Sequence, residues 1–237
     1  MPRVAACVMA AGMVTWLTPM AAAGVAARLE AQGGERSGRV AGKVRLTVAG
    51  GAPSASSAYP TRGVSPRAKA LPEMLNVVVF FADVPALVDL KAMRAEIAQK
   101  DEQFVPHVVA ITTGSRVEFP NRDLFFHNVF SLSRPATFDL GKFASGATKS
   151  RSFLKPGIVK VYCHIHSQMS AVIRVFDHSW FTIPNEDGNF AIDGVPAGDY
   201  TLVAWHERIG ERRDKVTIRA GATTDITFTL PVLEPRP

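Results

Sequence analysis

Residues 161–170 read VYCHIHSQMS and place one thiol, two imidazoles and one thioether within seven positions. The whole chain has only 2 Cys and 6 His, so soft nitrogen and sulfur donors are concentrated here. Thiolate, imidazole and thioether form a set that suits copper in both oxidation states. A trigonal site needs a second imidazole from elsewhere. FFHNVF (125–130) offers His127 on another apolar segment, followed by Asn128, whose amide can bond the neighbouring loop. Two His, one Cys and a distant Met make the donor arrangement of a mononuclear electron-transfer copper site. Zinc also accepts Cys and His, but a Met completing the loop favours copper.

The elements that must position these donors are strands. In GIVKVYC (157–163) a period of two puts Val159, Val161 and Cys163 on one side, with the thiol ending a core-facing row. The loop returns His166 and Met169, and a following strand with Ala171, Ile173 and Val175 on one face closes it. From Phe104 the texture is β: VVAI, SRVEFP, FFHNVFS, GIVKVYC and AVIRVFD are short runs separated by turn residues, at sandwich spacing. The last third repeats this, with an Asp-Gly turn in NEDGNF and with Ile226, Phe228 and Leu230 sharing a face. Upstream, GRVAGKVRLTV (38–48) alternates as a strand, and LNVVVFFADV (75–84) is a continuous buried-strand run. Residues 49–72 are rich in Gly, Ala, Pro and Ser and read as a long loop. Leu87, Leu90 and Ile97 stand near helical spacing in 86–100, whose second half also fits a strand. The fold class expected is all-β.

His127-Asn-Val followed by Cys163-x2-His166-x2-Met169 resembles the plastocyanin/amicyanin class of cupredoxins, and the short copper loop resembles amicyanin in particular. The resemblance covers roughly residues 95–176. It implies a Greek-key sandwich holding one type 1 copper, with His127, Cys163 and His166 as equatorial ligands and Met169 as the axial one. The loop departs from that class in carrying His164 next to the thiol, Ser167-Gln168 in place of a Pro-containing pair, and Ser170-Ala171 where a Gly is usual. Taken singly, His164, His107, His178 and His206 are expected to be surface or hydrogen-bonded histidines. A trinuclear copper cluster needs several His-x-His pairs, and a binuclear purple centre needs a second Cys. Six His in all, with CHIH holding the one such pair, speak against the first, and a mature chain whose one cysteine is Cys163 speaks against the second.

A second resemblance lies in EDGNFAIDGVPAGDYTLVAWHERIGERRDKVTIRAGATTDITFTL (186–230), which is similar to the latter part of a carboxypeptidase regulatory-like, transthyretin-like β-sandwich. Such modules are structural or interaction domains without chemistry of their own. Their usual opening strands stand far upstream, at 38–48 and 75–84. The combined layout resembles exported methylamine-utilisation-like proteins.

The first residues read as an address. Val4 to Ala27 carries no charge and contains Pro19 and Ala21-Ala22-Ala23, as a cleavable secretory signal does, the competing reading being an uncleaved membrane anchor, since the run is long enough to span. Cleavage after Ala23 removes Arg3 and Cys7, so a net charge of +6 becomes +5 and one cysteine remains. A single thiol in an oxidising compartment needs a metal or a partner chain. No basic cluster with interleaved aromatics suggests nucleic acid, and no membrane span is left once the signal is cut.

The layout expected is a signal peptide at 1–23, a disordered lead at 24–37, first strands and loop of the regulatory-like sandwich at 38–93, a cupredoxin domain at 94–177, the remainder of the first sandwich at 178–231, and a tail at 232–237. The physical reason for an inserted cupredoxin is that VVVFF left unpaired would form a long apolar edge. Insertion also predicts that residues 94–177 fold and bind copper alone. The function expected is periplasmic one-electron transfer, without catalysis, to or from a c-type cytochrome or a periplasmic dehydrogenase. The other reading is a copper-binding, copper-storage or metal-free interaction module.

Overall fold

The computed structural model describes residues 37–48, 73–84, 87 and 90–232. The expected signal, almost all of the lead, the 49–72 loop and most of the tail lie outside the described residues. Two strands precede residue 90: β1 (Ser37–Val48) and β2 (Val77–Phe81). Ten follow: β3 (Arg94–Glu96), β4 (Ala98–Lys100), β5 (Gln103–Val105), β6 (Val108–Thr112), β7 (Arg116–Pro120), β8 (His127–Ser133), β9 (Ala136–Phe143), β10 (Thr148–Ser152), β11 (Gly157–Tyr162) and β12 (Ser170–Phe176). The chain ends in β13 (Phe181–Thr182), β14 (Asn189–Pro196), β15 (Gly198–His206), β16 (Gly210–Ile218) and β17 (Thr223–Val232). Among the described residues the only helical element is a single turn, Glu73–Asn76. No helix there is long and apolar enough to cross a membrane. The helical spacing in 86–100 does not produce a helix over its second half. Residues 94–96 run parallel to β7 and 98–100 form a hairpin with β5, so Ile97 enters the core from an extended backbone.

The molecule is all-β and consists of two β-sandwiches. In the first, a sheet of order β10-β7-β3 faces a sheet of order β6-β12-β11-β8-β9. Val159, Val161, Cys163, Ala171, Ile173 and Val175 point between them, on the faces that the period-two reading gives. β9 alternates, with Ala136, Phe138 and Leu140 packed against the core and Thr137 and Asp139 facing water, a period the sequence reading passed over, whereas β10, TKSRS, has no apolar residue to show one.

In the second sandwich, a sheet of order β14-β1-β17 faces one of order β13-β2-β15-β16. Both upstream strands are interior: β1 lies between β14 and β17, and β2 between β13 and β15. Residues 37–48 and 77–81 thus pair with strands beyond residue 180, and the VVVFF edge is covered on both sides. Close approach requires Gly42, because a Cβ there would lie 1.9 Å from the carbonyl oxygen of Ile226.

The two sandwiches share a third apolar cluster. On β2, Val77, Val79 and Phe81 enter the core of the second sandwich, while Val78 and Phe80 face β6 and β12 of the first. β12 does the converse, turning Val172 and Phe176 toward β2 and β15. A continuous apolar run therefore marks a strand buried on both faces. Arg174, on that same side of β12, lays its guanidinium over the rings of Phe80, Trp205 and Phe176 at 4.6, 4.7 and 5.3 Å. Its burial pulls its pKa down to about 10. A fragment of residues 94–177 would expose Val108, Val172 and Phe176, which the second sandwich covers in the full chain.

A polar strap crosses the same boundary. His107 Nδ1 meets the carbonyl oxygen of Ser170 at 2.9 Å, and its Nε2 meets Glu207 Oε2 at 2.8 Å. Both partners are acceptors, so both ring nitrogens donate and the ring is an imidazolium. The Glu207 hydrogen bond raises the His107 pKa against the opposing effect of burial, and the His107 bond in turn lowers that of Glu207. Lys160 adds a second cation 3.2 Å from Glu207. The His107 contribution to stability is complete below an unfolded imidazole pKa of about 6.5 and is lost as pH rises through its raised folded value. The Glu207 contribution is complete above about 4.3 and is lost as pH falls through its lowered folded value. Urea unfolding across this range should therefore show stability declining above neutrality, and Glu207→Gln should flatten that decline. An equal slope in the variant would mean the strap is not its source.

Candidate metal centre

His127 is the first residue of β8, at the end of the first sandwich where Cys163 leaves β11. The loop from Cys163 to β12 turns back on itself, with the Met169 amide donating to the His166 carbonyl at 3.0 Å. One potential ligand atom each from His127, Cys163 and His166 lies within 4.8 Å of the others. His127 Nδ1 is 3.1 Å from His166 Nδ1 and 4.0 Å from Cys163 Sγ. With metal–ligand bonds of about 2.0–2.3 Å, two donors on one ion lie roughly 3–4 Å apart, so these spacings fit a single ion. Met169 is buried and packs in the same apolar cluster as Cys163. The four residues singled out from the sequence thus stand at one end of one sandwich.

Burial is graded across the site. His127 is fully buried, Cys163 is 4% exposed, and His166 is half-buried at the rim. Phe125 packs against both rings, 5.1 Å from His127 and 5.4 Å from His166. Leu124, Phe125, Phe126 and Ile165 are exposed on these same loops, so the rim around His166 is apolar.

Asn128 does what its position suggests: its Oδ1 accepts from the His164 amide at 3.3 Å, tying β8 to the donor loop. Its Nδ2 donates to Asp139 Oδ1 at 2.7 Å. His164 lies outside the cluster, stacked on Phe130 at 3.6 Å with its ring parallel. The alternation of β11 continues through residue 164 and turns this side chain outward. His164→Ala should therefore leave metal stoichiometry and visible spectrum unchanged, and a lost or altered spectrum would make His164 a ligand. His107 belongs to the strap described above. His178 and His206 are buried and accept hydrogen bonds from the amides of Trp180 and Arg208.

One participant was not singled out in the sequence. Asp123 Oδ2 accepts from His127 Nε2 at 2.7 Å. Burial pushes the Asp123 carboxyl up, but the amides of Glu102 and Asp101 and the His127 ring outweigh it and hold it below the usual carboxylate range. The signal was NRDLFFHNV, an acid four residues before a histidine. Nothing in that spacing shows a contact, because the intervening residues form a loop.

Residues 169–231 match the model of the carboxypeptidase regulatory-like domain. That stretch takes in β12 of the first sandwich as well as β13–β17 of the second. No relative is found among curated proteins. Among solved structures, similarity is found to a copper-containing nitrite reductase (NirK) from Thermus scotoductus SA-01, at 26% identity over 40% of this chain, with a TM-score of 0.35. The aligned part spans 25% of that reductase. A purple cupredoxin from Nitrosopumilus maritimus is 21% identical over 35% of this chain and 99% of its own, with a TM-score of 0.32. A methionine-to-alanine mutant of amicyanin in its Cu(I) form is 15% identical over 37% of this chain and 87% of its own, with a TM-score of 0.34.

Proposed function

We propose that this chain is an exported cupredoxin-type protein that binds one copper and passes single electrons between periplasmic redox partners. The observation carrying this reading is the convergence of His127 Nδ1, Cys163 Sγ and a His166 nitrogen within 4.8 Å at a buried sandwich end. His127, Cys163 and His166 would hold the ion, with Met169 as a weak fourth donor, and the ion would supply a one-electron couple. The protein's part is to hold the donors still. His127 and Cys163 are anchored at the ends of paired strands, so a change of charge at the centre meets a backbone that does not rearrange. Burial of Cys163 keeps its thiol from other oxidants. His166 reaches the apolar rim, which gives a partner a dry contact close to the donors. A c-type cytochrome or a periplasmic dehydrogenase is the class of partner proposed, and the second sandwich is proposed as a scaffold or interaction module.

The test is the visible and electron paramagnetic resonance spectra of the chain after Cu(II) addition. An intense thiolate-to-copper band with one copper per chain and a reversible potential is expected. A colourless protein that yields its copper to a chelator would instead make it a copper-storage or delivery module.

A further inference from the structure

We propose that Asp123 is the positioning residue of this centre: its carboxylate keeps the proton of His127 on Nε2, aims the Nδ1 lone pair at Cys163 and His166, and by its charge favours the more oxidised state of the ion held there. The charge effect rests on the copper reading above, whereas the effect on the ring does not. A carboxylate only accepts, so the 2.7 Å contact with Asp123 Oδ2 makes Nε2 the donor, and in the neutral ring the lone pair is then on Nδ1. Nδ1 is the nitrogen that faces the other two donors, at 3.1 and 4.0 Å.

The carboxylate is itself held from several sides. The amides of Asp101 and Glu102 donate to its two oxygens at 2.6 and 3.0 Å. Those residues are the turn between β4 and β5, and both adopt positive φ, 54° and 56°, although neither is glycine. The Asp123 amide donates to Asn121 Oδ1 at 3.0 Å, and Asn121 Nδ2 donates to the carbonyls of Phe125 and Phe143. Asp123 is 8% exposed and His127 is fully buried, so the charge acts across little water. A carboxylate on the far nitrogen of a ligating imidazole fixes the ring and makes it a stronger donor, and losing such a partner typically lowers metal affinity by about 10–100-fold.

Two variants of the full chain separate the effects. In metal-free protein with 15N-labelled histidine, His127 should show the Nε2-protonated form in the wild type. Asp123→Asn should retain it, since an amide oxygen still accepts, and Asp123→Ala should free the ring to exchange between both tautomers. With copper bound, Asp123→Asn should keep the colour but weaken Cu(II) relative to Cu(I) about tenfold, raising the midpoint potential by about 59 mV. An unchanged tautomer in Asp123→Ala overturns the positioning role. An unchanged midpoint in Asp123→Asn overturns the charge effect. A wild-type chain that takes up no copper would sink the functional reading and the charge effect together, while the metal-free spectra would still decide the role of Asp123 on the ring.

Discussion

Cys163→Ser should abolish the intense visible band of the copper-loaded protein completely while leaving the fold intact. The band needs a thiolate sulfur on copper, and the serine hydroxyl that replaces it is a hard donor that remains protonated at neutral pH. Cys163 ends the inward row Val159, Val161, Cys163, where it is 4% exposed. A residue of almost the same size should be accommodated there without disturbing β11 or β12. His127 and His166 remain in place, so weak Cu(II) binding with an ordinary pale spectrum is expected. Met169→Leu gives the contrasting result, a retained band with a shifted potential, because an axial thioether tunes such a site without making its colour. Retention of the band in Cys163→Ser would show that the thiol is not a ligand.

The largest expected effect on stability comes from Phe81→Ala. Phe81 is fully buried on β2, packed in the core of the second sandwich with its ring edge toward Tyr200 at 5.5 Å. Truncating a buried Phe costs about 3–5 kcal/mol, from lost transfer energy and the cavity left behind. The midpoint of chemical unfolding should fall accordingly. Because Phe81 points away from the first sandwich, the copper spectrum below the transition should be unchanged. A variant that lost colour while still folded would mean that β2 supports the metal site directly, against the pairing of β2 with β13 and β15.

The cluster of His127, Cys163 and His166 was legible in the sequence because most of it is local. Cys163, His166 and Met169 sit on one strand–loop–strand, where a period of two and short loop spacing dictate which side chains converge. His127 could be added because the set needed a second imidazole and FFHNV offered one beside an amide. The upstream strands were also legible, since an apolar run such as VVVFF demands neighbours, and the structure supplies them from beyond residue 180.

Other features could not be read this way, for two physical reasons. A hydrogen bond across a loop, such as Asp123 to His127, depends on where the backbone turns, and NRDLFF has no period to reveal it. An interface between two sandwiches depends on which of two apolar faces each strand turns to which neighbour. Alternation shows that Val78 and Phe80 lie opposite Val77 and Val79, and that Val172 and Phe176 lie opposite Ala171 and Ile173. Which core each set joins was decided only when the sheets packed. Arg174 shows the limit most clearly: alternation places it on a face of β12, and only the packed aromatic rings of Phe80, Phe176 and Trp205 make that face a place where a cation can be held.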